Sequence, residues 1–378
     1  MRLPAFDTRF LNTWLLKRAL SLPAAVLRFV SGGGVVHVAG RTLDPQIQCL
    51  WRALYSQASG RTGLSLTAKS LETARQEWQE AAALFGLPSD IRVRFESIGG
   101  EGAAAGTIPR GLLIRPARVS EDAPLLVFFH QGGGVLGGPD LSRAFAVRLA
   151  HQARCPVFLP EYRLAPVYRF PAALDDARAA FDWAQANAAR LGAPSGRVAI
   201  GGILTGAGLA LRVSLDLRRD FKPSPVAQLL VTPLADLSDT HSPANAALGL
   251  WPLSSADIDL LIGHYAGGGA SLTDPRLSPA LEPLLVGQPR TFVVSAGLDP
   301  LADQAETLVQ RLIAARVPTV YRRYDTLPLG FDLFAAVVDA AAEATDDIAD
   351  TWVELLRSGQ GEPEAEPEAE TDSATAVA

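Results

Sequence analysis

Cysteine, histidine and lysine are scarce in this chain of 378 residues. Two cysteines, Cys49 and Cys155, exclude a disulfide-stapled scaffold. The five histidines are His37, His130, His151, His241 and His264, so none follows position 264. Only three of the 34 basic residues are lysine. No uninterrupted apolar run reaches about 18 residues, which argues against a membrane-spanning helix. A basic stripe is missing too. The formal charge is −6, and most of that surplus sits in the final residues, where Glu362, Glu364, Glu366, Glu368, Glu370 and Asp372 follow one another without a Lys or Arg between them. The remainder is close to neutral, which excludes a nucleic-acid binder. What the chain does have is apolar substance: 48% of its residues are hydrophobic, enough for a large core in one domain with appendages.

The first thirty residues mix Phe10, Trp14, Leu15, Leu20, Leu22, Val26, Leu27 and Phe29 with Arg9, Lys17, Arg18 and Arg28. Lys17-Arg18 splits the apolar stretch, which fits a secretory signal poorly. The expectation is a helix lying on the protein's own core, with an interfacial amphipathic helix as the alternative. The localisation that follows is cytoplasmic, with peripheral membrane contact by this helix in the second case. The far end repeats Glu-Pro-Glu-Ala and is expected to be a solvated, disordered tail. Three regions result: residues 1–90 as an N-terminal helical cap, 91–357 as the main domain, and 358–378 as an acidic tail.

Ser70 is placed to cap a helix whose apolar positions Leu71, Ala74, Trp78, Ala81 and Phe85 keep helical spacing, with Gly86 as its stop. Beyond residue 90 short apolar runs alternate with helical stretches. Leu125–Phe129, Val157–Leu159, Val198–Ile200, Gln228–Val231, Phe292–Val294 and Thr319–Tyr321 read as strands, and Leu174, Ala177, Phe181 and Ala184 mark a helix between two of them. This alternation predicts an α/β fold with a mainly parallel sheet flanked by helices. Ligands on such sheets bind beyond the carboxyl ends of the strands.

Two glycine turns follow predicted strands. In the first, His130-Gln131-Gly132-Gly133-Gly134, the spacing of Gly132, Gly134 and Gly137 satisfies the dinucleotide pattern, with Glu161 at the end of the next strand as a ribose-binding acid would be. The same turn also has the form of the oxyanion loop of lipases and esterases. In the second, Gly202-Ile203-Leu204-Thr205-Gly206 has the spacing of a nucleophile elbow, but leucine stands at its apex and has no lone pair with which to attack a carbonyl.

These turns, together with Leu43-Asp44-Pro45, Tyr162-Arg163-Leu164-Ala165-Pro166, Phe170-Pro171-Ala172-Ala173 and Ala296-Gly297-Leu298-Asp299-Pro300-Leu301, resemble the hormone-sensitive-lipase-like branch of the α/β-hydrolases, which includes many bacterial carboxylesterases. The resemblance covers roughly residues 35 to 357 and sets the dinucleotide reading aside. It implies an α/β-hydrolase fold and a Ser–Asp–His triad in that chain order. The acid corresponds to Asp299. The serine position corresponds to Leu204, and the histidine position, before Gly330-Phe331, to Leu329. Glu161, Val167 and Ile203 also depart from the family's usual Asp, Glu and Asp. The oxyanion hole implied by the resemblance uses the N–H groups of Gly132, Gly133 and Thr205.

With nucleophile and base both absent, the expectation is a pseudoenzyme that keeps a pocket for a small apolar ester or carboxylate. The alternatives are a weak or unorthodox carboxylic-ester hydrolase, with Thr205 as the nearest hydroxyl, and a partner- or membrane-associated scaffold. Without its histidine, Asp299 is expected to serve as N-cap of the helix running through Leu301, Ala305, Leu308 and Leu312. No metal and no cofactor is expected. Members of the family often form dimers, so the resemblance allows a homodimer. Plant gibberellin receptors, similar to the same family and lacking its histidine, give the analogy for a binding role.

Overall fold

The computed structural model describes residues 8–32, 34–38, 40–57, 66, 70–85, 87, 91–99, 108–240, 253 and 255–358. The acidic tail beyond Ser358, the helix stop at Gly86, and residues 241–252 with His241 lie outside the described residues.

The chain opens with α1 (Thr8–Leu20), α2 (Ala24–Val30), a small antiparallel pair β1 (His37–Val38) and β2 (Arg41–Thr42), then α3 (Pro45–Gln57) and α4 (Leu71–Phe85). The caps are local and legible. Asp44 Oδ1 accepts from the N–H groups of Gln46 and Ile47 at 2.8 and 3.0 Å, starting α3. Ser70 Oγ accepts from Thr73 N–H at 3.2 Å, starting α4 as its sequence predicts.

The main body alternates strands and helices: β3 (Val93–Ile98), β4 (Gly111–Pro116), β5 (Leu125–Phe129), α5 (Asp140–Gln152), β6 (Val157–Pro160), α6 (Ala172–Asn187), β7 (Val198–Ile203), α7 (Thr205–Arg219), β8 (Gln228–Val231), α8 (Ser255–Ala266), β9 (Thr291–Leu298), α9 (Ala302–Ala314), β10 (Thr319–Pro328) and α10 (Asp339–Ser358). Eight strands form one sheet in the order β10-β9-β8-β7-β5-β6-β4-β3. From β10 to β6 every pairing is parallel, and β4 and β3 add an antiparallel edge. All six anticipated strands are present. Every residue of β5, β7, β8 and β9 is buried, the signature of a parallel sheet with helices on both faces. Leu174, Ala177, Phe181 and Ala184 are the buried stripe of α6, as their spacing predicts.

Register aligns the strand ends that matter. Phe129 pairs with Gly202 across β5 and β7, and Pro328 pairs with Leu298 across β10 and β9. The glycine turn and the elbow therefore leave adjacent strands on the same edge. Asp299 and Leu329 each stand one residue past a paired position on the other two.

Candidate active-site cleft at the carboxyl edge of the sheet

The elbow forms because β7 and α7 approach closely. A Cβ on Gly202 would lie 2.3 Å from the carbonyl carbon of Gly206, and one on Gly206 would lie 2.1 Å from the Phe129 oxygen. Neither position admits a side chain. Between them Leu204 takes φ 56° and ψ −119°, a conformation that leucine rarely adopts. Such strain costs on the order of 1–3 kcal/mol and persists only where its surroundings enforce it. Here the Leu204 N–H donates to Val231 O at 3.0 Å, and its own carbonyl accepts from Ala207, Gly208 and Leu234. The sharp turn thus survives with an apolar side chain at its tip.

The first glycine turn wraps the adjacent position. Gly132, Gly133 and Gly134 all have positive φ, and Gly132 O accepts from Val135 and Leu136. Among the described residues no acceptor engages the N–H of Gly132, Gly133 or Thr205. Three donors of the kind that stabilise an oxyanion are therefore uncommitted. Gly133 packs beneath Leu261 and Gly134 beneath Tyr265, so α8 lies directly over the turn. Arg75 of α4 fastens the turn from the other side, donating from Nε to Val135 O at 2.9 Å and from a terminal nitrogen to Ala165 O at 2.8 Å.

Leu204 and Leu329 line one cavity, together with Gln131, Gly132 and Gly330. Trp78, Leu253 and Leu261 close it from above. Its volume is about 20 Å³, room for roughly one water molecule. The cavity is thus already filled largely by aliphatic side chains.

Asp299 is fully buried. Its Oδ1 accepts from Leu301 N–H at 2.8 Å, and its Oδ2 has no hydrogen-bond partner. This corrects the capping role expected for it. The N-cap position of α9 is Leu301, two residues on, with no side-chain bond, and Asp299 makes a local turn ahead of the helix instead. The Asp299 carboxylate closes an Asx-type turn on the N–H two residues on, and the helix begins only after that turn. Burial pushes the Asp299 carboxyl up from 3.8 to about 7, against the smaller opposing effect of the Leu301 N–H.

A second buried carboxylate was not singled out by the sequence. Asp332 lies three residues beyond Leu329, and its Oδ2 accepts from Gln131 Nε2 at 2.9 Å. Gln131 Nε2 also donates to Leu141 O at 3.1 Å. The bond ties the glycine turn to the loop carrying Leu329. Burial raises the Asp332 carboxyl from 3.8 to about 7, with the Gln131 amide pulling the other way. The only local signal was an acid near Gly330-Phe331; its partner is 201 positions away.

No histidine of the described residues lines the cavity. His130 is the nearest in sequence, but its Nδ1 lies 2.7 Å from Gln131 O and its ring stacks on Tyr162 at a centroid distance of 4.0 Å. Burial lowers its pKa to about 4, so it is neutral at ordinary pH and fixed in place. Thr205 Oγ1 is buried without a hydrogen-bond partner, so no base is in place to take its proton. Among the described residues no cluster of three or more His, Cys, Asp or Glu is arranged to hold a metal.

A family model described as alpha/beta hydrolase fold matches residues 126–333. The carboxylic ester hydrolase LipN of Mycobacterium tuberculosis is 34% identical over 345 residues, covering 89% of each chain. An ethyl acetate hydrolase of Pseudomonas putida is 28% identical, over 73% of this chain and 87% of its own. Among solved structures, an ester hydrolase from the metagenome of Lake Arreo, complexed with a derivative of bipyridine phosphonate, superposes with a TM-score of 0.75 at 30% identity, covering 83% of this chain and 99% of that one. A hyperthermophilic esterase of the archaeon Pyrobaculum calidifontis gives a TM-score of 0.73 at 26% identity, over 83% and 98%. The family match alone spans more than half of the sequence, and this chain belongs to the α/β-hydrolase fold family, in the branch populated by carboxylesterases.

Proposed function

We propose that this chain is a non-catalytic member of its family that keeps the pocket as a binding site for a small apolar carboxylate or ester. The observation that carries this reading is the shared cavity of Leu204 and Leu329, set against unengaged backbone N–H groups. At these places the relatives' chemistry calls for an attacking oxygen and a proton acceptor. Replacing both members of a buried polar pair by apolar groups is nearly neutral for stability, whereas replacing one leaves the other unsatisfied. The two leucines are matched to each other in that sense, while Asp299 keeps a buried Oδ2 without a partner.

What survives suits recognition rather than turnover. The N–H groups of Gly132, Gly133 and Thr205 would receive a carbonyl or carboxylate oxygen, and the aliphatic wall of Leu204, Leu253, Leu261 and Leu329 would receive its hydrocarbon part. The room present admits about one water. A ligand therefore enters by turning Leu253 and Leu261 aside, which favours short acyl groups.

Trp78 on the cavity wall provides a readout. Titration with butyrate and with ethyl butyrate is expected to change tryptophan fluorescence saturably, and Trp78→Phe is expected to remove the change while calorimetry still detects binding. A linear response to the solubility limit, with no heat of binding, would refute a pocket role.

A further inference from the structure

We infer that α1 and α2 form an interfacial patch that seats the protein on an anionic lipid surface. The two helices are joined by Ser21–Pro23 and rest on α3 and α4. Only one side of them is used for that contact: Leu20 and Leu27 are buried, and Leu16 packs partly against the core. Exposed instead are Trp14 and Leu15 of α1, Leu22 of the link, and Val26, Phe29 and Val30 of α2, with Phe29 81% and Trp14 52% accessible. These are six of the seventeen exposed large apolar side chains among the described residues, gathered within seventeen positions. Val26, Phe29 and Val30 stand at i, i+3 and i+4, on one face of α2. The expected helix lying on the protein's own core is present through Leu20 and Leu27, while Trp14, Leu15, Leu22, Val26 and Phe29 stay exposed.

The charges name the occupant. From residue 8 to residue 43 the chain contains five basic residues and no acid. Lys17 and Arg18 are exposed, and neither is ion-paired among the described residues; Arg28 is half-buried and faces Asp44. A surface that is apolar and cationic at once fits the boundary between anionic headgroups and acyl chains. A second copy of the chain fits less well, because a twofold contact over the same patch would gather the like charges of Lys17 and Arg18 from both copies into one interface. The acidic tail would supply charge, but between Gln360 and Ala376 its sequence holds nothing larger than proline and polar residues to cover Trp14 or Phe29. No helix of the described residues is long and apolar enough to cross a membrane, so the contact is with the surface. α1 touches α4, which carries Trp78 of the cavity wall.

The test uses the full chain with sedimenting vesicles of phosphatidylcholine alone and of phosphatidylcholine mixed with phosphatidylglycerol. Partitioning onto the anionic vesicles is expected to exceed that onto neutral ones by about tenfold or more, to weaken in high salt, and to fall to the neutral level in Lys17→Glu/Arg18→Glu. Trp14→Ser/Phe29→Ser, at two exposed positions, is expected to abolish binding while the thermal unfolding profile is retained. Equal partitioning onto both vesicles, or binding unchanged in both variants, would overturn the proposal. So would a concentration-dependent dimer in sedimentation velocity that Trp14→Ser/Phe29→Ser dissociates, which would assign the patch to a second copy. None of these readouts uses the cavity, so their outcome is independent of the proposed ligand.

Discussion

The variant Leu204→Ser/Leu329→His is expected to hydrolyse p-nitrophenyl butyrate about 10²–10⁴-fold faster than the parent chain, and Leu204→Ser alone is expected to gain little. The expectation rests on what the scaffold retains. The apex keeps the strained φ 56° conformation that presents an elbow side chain to the cavity. The three amides of the oxyanion hole implied by the family are unengaged. Pairing of Pro328 with Leu298 brings position 329 alongside Asp299, whose Oδ2 lacks a partner. An imidazole at 329 would supply the missing donor to that oxygen, and Asp299 would orient it as a base for a serine at 204. Recovery stays below that of an ordinary family member for two reasons. Ile203 stands beside the apex where the family has an acid, and the cavity of about 20 Å³ restricts the acyl group. A fluorophosphonate should add covalently to the double variant and leave the parent mass unchanged. A folded double variant with neither turnover nor adduct would mean that the loops have moved beyond repair by two side chains.

The second large effect is on stability. Asp299→Asn is expected to stabilise the protein by on the order of 2–4 kcal/mol at about pH 8 and by progressively less toward about pH 4. The sign follows from a carboxyl whose folded pKa is raised, from 3.8 to about 7. Below about 4 both folded and unfolded chains hold the proton. As pH rises from about 4 to about 7 the unfolded chain releases it first, so folding stability falls across that window and levels off above it. Asparagine keeps the acceptor for Leu301 N–H and removes the charge. Asp332, raised to about 7 by the same burial, contributes a parallel decline. It therefore remains in the single variant, and Asp299→Asn/Asp332→Asn should be flatter still. Denaturant midpoints measured across that pH range decide the matter. Loss of stability in Asp299→Asn at about pH 8 would mean that an ionised Asp299 is paired with a cation.

The parts of this fold legible from sequence are those set by local chemistry. Runs such as Leu125–Phe129 and Gln228–Val231 match their strands residue for residue, because strands buried on both faces are apolar throughout. β3 carries no apolar run, because Arg94, Phe95, Glu96 and Ser97 are exposed, as befits an edge. β10 reads as a strand only over Thr319–Tyr321, since Arg322, Arg323 and Asp325 farther along are edge residues facing water. The paired strands β1 and β2 hold two residues each, too few for any period to register.

The candidate site divides in the same way. Both glycine turns declare themselves because backbone approach at Gly132 in the first, and at Gly202 and Gly206 in the second, admits no Cβ. The closures do not. Arg75 donating to Val135 O, Leu261 covering Gly133, and Gln131 reaching Asp332 are contacts between residues 60 to 201 positions apart, and nothing in the local pattern announces them. The offset of Asp299 from its helix likewise shows only in the turn that its side chain makes on Leu301 N–H.

The most direct measurement is the hydrolysis of p-nitrophenyl butyrate by the purified parent chain, followed through successive chromatographic steps beside Thr205→Ala. The expected result is a rate indistinguishable from the buffer blank in every protein-containing fraction, unaltered by the substitution. Turnover that co-elutes with the protein and disappears in Thr205→Ala would contradict a binding-only role and return the chain to its relatives' chemistry.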